Sequence, residues 1–99
     1  MVVISFVSYP PESAKELGKR FLELSPLPDY ITMEGPYAYA STGNGMLATT
    51  LYKFDKSKAA EALESINSQL VAFYGVPGYT YAVRVCAGAQ TALKMMGLR

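Results

Sequence analysis

The sequence predicts an α+β domain of order βαββαβ: a four-stranded antiparallel sheet, two helices on one of its faces and a further helix at the C-terminus. Three observations carry this. Short apolar runs of strand length alternate with stretches whose apolar residues recur at helical spacing. Asn44-Gly45 separates two runs rich in Tyr, Thr, Ile and Leu, and both turn residues accept the positive φ that tight hairpins demand. Finally, the strand runs carry few charges on either side, so neither sheet face reads as the solvated one.

At 99 residues the chain makes one domain, 1–99, with a core of modest size that a second copy would enlarge. The net charge of +1 supplies no basic field to draw nucleic acid. Histidine is absent, which removes the commonest general base and metal ligand, so no metal site is expected. One cysteine allows neither an internal disulfide nor a cysteine metal cluster. No apolar run reaches the roughly 18 residues of a membrane span. Met1 leads straight into Val2-Val3-Ile4 with no basic stretch, so no signal peptide is expected and a cytoplasmic setting is the default.

Val2 to Tyr9, bounded by Pro10-Pro11, reads as a buried strand. Pro11 or Glu12 opens a helix, with Ala14, Leu17, Phe21 and Leu22 on one face. Gly18 among them suggests close approach to the sheet, and Ser25-Pro26-Leu27-Pro28 ends the helix. The hairpin runs from Tyr30 to Phe54. Gly35-Pro36 interrupts its first arm, which predicts a bulge or bend on an edge strand. Ile31, Met33, Tyr37 and Tyr39 share a side only if no bulge shifts the register.

Asp55 is a good N-cap for the second helix, whose apolar stripe is Ala59, Ala62, Leu63, Ile66, Leu70 and Phe73. Gly75 stands where a glycine ends a helix, and Pro77 follows. In the last strand Tyr79, Tyr81, Val83 and Val85 share one face; Thr80, Ala82, Arg84 and Cys86 share the other. Ala87 to Leu98 reads as a third helix.

Right-handed crossovers place both main helices on one face, with strand order 4-1-3-2. The other face would be an apolar patch, and such patches mark interfaces. A homodimer with two sheets face to face is therefore expected. The VVISFVSY opening, the helix ending in SPLPD, the NG hairpin and the closing YTYAVRV strand resemble the dimeric α–β barrel superfamily, in its ferredoxin-like branch. The resemblance implies a small stand-alone member of a group that includes cofactor-independent monooxygenases, lactone isomerases, haem-degrading enzymes and ligand-sensing domains. The histidine that haem-binding members use is absent, so no cofactor is expected.

Arg84 is the one charge inside the last apolar strand. It could hold a ligand carboxylate or phosphate, pair with Glu34, or simply reach solvent from the strand edge. Tyr37, Tyr39, Tyr52, Tyr79 and Tyr81 could line a pocket and orient an apolar ligand through their hydroxyls, or serve as strand and interface residues. Cys86 lacks a neighbouring base and reads as inert. Gly43-Asn44-Gly45 lacks the phosphate-loop pattern, and Met46 to Tyr52 lacks the RNA-stacking pattern. Asn67 and Gln69 read as solvent-facing. The expected function is a dimeric small-molecule-binding protein for an apolar or anionic ligand. The alternatives are a cofactor-independent monooxygenase or isomerase, and a structural protein-interaction module.

Overall fold

The computed structural model describes residues 1–41, 43 and 45–98. β1 (Val2–Tyr9) is a run of β-branched and aromatic residues ended by Pro10, which has no backbone donor for the ladder. A 3-10 turn at Pro11–Ser13 precedes α1 (Ala14–Leu22), so the α-helix starts later than the prolines suggest. β2 (Thr32–Ser41) and β3 (Gly45–Lys53) form the hairpin; Asn44 of its turn lies outside the described residues.

Next come a 3-10 turn at Lys56–Lys58, α2 (Ala59–Val71), β4 (Thr80–Cys86) and α3 (Ala89–Met95). The Asp55 carboxylate caps the turn into α2 by accepting from the Ser57 amide at 2.9 Å. That bond holds its pKa below the ordinary value.

The sheet order is β2-β3-β1-β4, every neighbouring pair antiparallel; counted from the other edge it reads 4-1-3-2. Strand alternation and register divide the residues between the faces. On one face Val3, Val7, Tyr9, Tyr52 and Phe54 form a core with Ala62, Ile66 and Leu70 of α2, and Leu17 of α1 packs against it. Ile66 and Val3 are fully enclosed, and each such side chain contributes roughly 1.5–3 kcal/mol of hydrophobic stabilisation.

α1 sits shallowly. None of its residues is buried, and Leu22, expected in the apolar stripe, is 83% exposed. Gly18 does not mark a close approach either, since a Cβ there would meet nothing within 4 Å.

The segment from α2 to β4 is two successive turns. The Val76 amide donates to the Phe73 carbonyl, and the Tyr79 amide to the Val76 carbonyl. Gly75 (φ 93°) and Gly78 (φ 76°) take the third position in each, where a positive φ favours glycine. Gly75 therefore closes a turn beyond the helix end rather than capping α2 itself. Past β4, α3 buries no residue and leaves Met95 and Met96 largely in solvent. The chain is correspondingly extended: its radius of gyration is 15.1 Å, against the ~13 Å of a compact domain this size.

Candidate functional site

On the helix-covered face the register sets Ser5 of β1 beside Thr50 of β3, with Tyr52 next along β3. Ser5 is the one hydroxyl between Val3 and Val7 on the inward side of β1. All three residues are buried, and the Ser5 Oγ lies 3.4 Å from the Tyr52 hydroxyl. They line a cavity of about 70 Å³ between the sheet and the helices. Leu17 and Phe21 of α1, Met33 of β2, and Leu70 with the following Phe73 supply most of its apolar wall. A buried hydroxyl is costly without a partner, so three grouped in an apolar wall form a polar spot that a ligand can share.

Gln69 borders the same cavity and donates to the Ser25 carbonyl at 2.9 Å, tying α2 to the loop after α1. It is thus not the free solvent-facing residue its helical position suggested. Asn67 is half-buried and bonds back to the Leu63 carbonyl at 2.9 Å. A wider depression of about 670 Å³ between that loop and α2 opens to solvent, with Glu23, Glu61 and Glu64 on its margin.

The residues singled out from the sequence do not converge. Tyr52 alone lies at the cavity. Tyr81 shares the helix-side face but joins Tyr74 and Tyr79: its hydroxyl is 3.2 Å from that of Tyr74, and its ring stacks on Tyr79 at 5.8 Å. The Tyr74 hydrogen bond raises the pKa of Tyr81. Tyr79 donates to the Leu70 carbonyl at 2.7 Å, and burial pushes its hydroxyl far above the ordinary phenol range.

Tyr37 and Tyr39 stand on the opposite, open face. The register shifts between Glu34 and Tyr37, at Gly35-Pro36, so Met33 pairs beside Tyr52 on the helix side while Tyr37 pairs with Thr49. The Tyr37 hydroxyl donates to Glu34 at 3.3 Å, and the nearby carboxylate raises its pKa. Tyr39 meets the Thr49 hydroxyl at 3.3 Å.

Compared with known protein families and with curated proteins, the chain matches none. The geometry alone therefore carries the functional argument.

Arg84 lies on the open face of β4, exposed, beside Ile4. Glu34 sits on β2 at the other edge, so the two cannot pair within one chain. Among the described residues the salt bridge is instead Arg20 to Glu16 at 3.0 Å. Cys86 ends the same strand, half-buried. Among the described residues no group of three Cys, Asp or Glu could hold a metal ion, and no helix is long and apolar enough to cross a membrane.

Sequence reasoning missed Ser5 and Thr50. The signal was present: both are hydroxyls at alternating positions otherwise taken by apolar residues. Their convergence required the β1–β3 register.

Proposed function

We propose that the chain is a dimeric small-molecule-binding protein of ferredoxin-like, dimeric α–β barrel type. Its ligand is a small apolar molecule with one hydroxyl or carbonyl group, seated between the sheet and α1. The observation that carries this is the cavity with Ser5, Thr50 and Tyr52 grouped in an otherwise apolar wall. Hydroxyls both donate and accept, so this spot fixes the polar end of a ligand while the rest fills apolar space. The shallow seating of α1 gives that helix freedom to adjust to an occupant.

The open sheet face supports the dimer. Phe6, Tyr37 and Tyr39 remain 40–55% exposed there, beside Ile4, Leu47 and Leu51. A contiguous apolar patch of this kind is unfavourable in water and marks an interface.

Phenol and toluene test the ligand class by amide chemical-shift titration. Phenol should perturb residues around Ser5, Thr50 and Tyr52 and bind more tightly than toluene. Tyr52→Phe should shrink that preference. Shifts confined to the outer surface, or equal affinity for both probes, would refute the assignment.

A further inference from the structure

We infer that two copies of the chain dock open face to open face about a two-fold axis running along the strands, with Glu34 of each copy paired to the partner's Arg84. This rests on the dimer proposed above and specifies its geometry.

The strand registers set residues of the open face in rows across the sheet. One row reads Glu34, Leu51, Ile4, Arg84 from β2 to β4. Its two charges stand at opposite edges, three strand spacings or about 14 Å apart. Both side chains are exposed, and neither is in a salt bridge among the described residues.

A two-fold axis along the strands keeps every residue at its height and exchanges the edges, laying β2 over the partner's β4. Each row then falls on its own reversed copy. The row above becomes Glu34 over the partner's Arg84, Leu51 over the partner's Ile4, and the same again by symmetry. Packed sheets stand ~10 Å apart, a gap that glutamate and arginine side chains span together.

The next row supports the same axis by size. Tyr37 is the bulky residue on β2 and Ala82 the small one on β4, joined through Thr49 and Phe6. Reversal sets Tyr37 over the partner's Ala82 and Phe6 over the partner's Thr49, large against small. A two-fold axis across the strands would instead lay β2 on β2 and β4 on β4. Glu34 and Arg84 are the only charges that those strands turn to this face, so opposite charges would then never meet. Lys53, the last residue of β3, is exposed on the same face, one row beyond Glu34 and Arg84.

Charge complementarity of this kind selects the partner and its orientation. The test is analytical ultracentrifugation of the wild type, Arg84→Glu, Glu34→Arg, the double variant, and an equimolar mixture of the two single variants. Circular dichroism checks that each is folded, as two exposed positions should allow. The wild type should be a dimer. Each single reversal sets like charges together at both ends and should weaken dimerisation at least tenfold. The double variant should recover it. The mixture should form a heterodimer, resolved by mass, because one chain then carries both cations and the other both anions.

A wild type that stays monomeric at 100-micromolar concentration (about 1 mg/ml) would overturn the dimer itself. A wild-type dimer whose single variants associate equally well, or whose double variant is not restored, would overturn the axis and the ion pair while leaving the dimer standing.

Discussion

Replacing Arg20 with alanine should loosen the helix that roofs the cavity. Because α1 buries no residue, polar ties matter unusually for its placement. Arg20 supplies the strongest of them. Its Nη1 donates to the Tyr74 carbonyl at 2.5 Å and the Ala72 carbonyl at 3.3 Å, and its Nη2 donates to Glu16 at 3.0 Å. Those carbonyls lie just past α2, where backbone acceptors lack helical partners and a cation is favoured. A net hydrogen bond contributes about 1 kcal/mol and an exposed i,i+4 ion pair a few tenths. With partial solvent exposure the loss comes to ~1.5 kcal/mol, or about 6–12 °C in Tm for a domain of this size. Thermal melts and amide hydrogen exchange check this: Arg20→Ala should melt lower and exchange faster along α1, whereas Glu16→Gln should cost only a few tenths of a kcal/mol. An unchanged Tm would refute the clamp. If Glu16→Gln alone matched the full loss, the ion pair rather than the carbonyl contacts would hold α1.

Gly75→Ala should destabilise the fold by about 1 kcal/mol, because its φ of 93° is strained for an L side chain, although a Cβ there would meet only the Arg20 guanidinium, at an ordinary 3.8 Å. A melt indistinguishable from wild type would show that the turn re-forms around alanine. Asp55 contributes through its ionised form: its pKa is depressed in the fold by the Ser57 amide, so its stabilisation is full above the unfolded carboxylate range, about pH 4, and fades as pH falls through the lower folded value. Asp55→Ala should therefore be less stable than wild type at pH 7, with the gap narrowing in acid; a gap independent of pH would show that ionisation is irrelevant.

Much of the fold was legible in local chemistry. The apolar run Val2–Tyr9, the stripe from Ala59 to Phe73 and the cap at Asp55 each express a rule that acts within a few residues. The two faces of β4 followed from a period of two. The interruption at Gly35-Pro36 was visible as well, but not its consequence. Whether Tyr37 shares a side with Met33 depends on how many residues the bulge inserts, and pairing with β3 settles that.

The site is where sequence reasoning ran short. Arg84 and the tyrosines drew attention as residue types, yet a type does not say which side of a sheet it occupies. Leu22 and Gly18 show the same limit, because helical spacing marks a face without saying how far the sheet extends beneath it. The sequence by itself determined the elements and their two-sided patterning, since these arise from backbone sterics and nearest-neighbour periodicity. Only the tertiary structure decided that Ser5, Thr50 and Tyr52 meet under α1 and that Glu34 and Arg84 end one row at opposite edges. Both facts come from strand register, which is set by long-range pairing and the burial it permits.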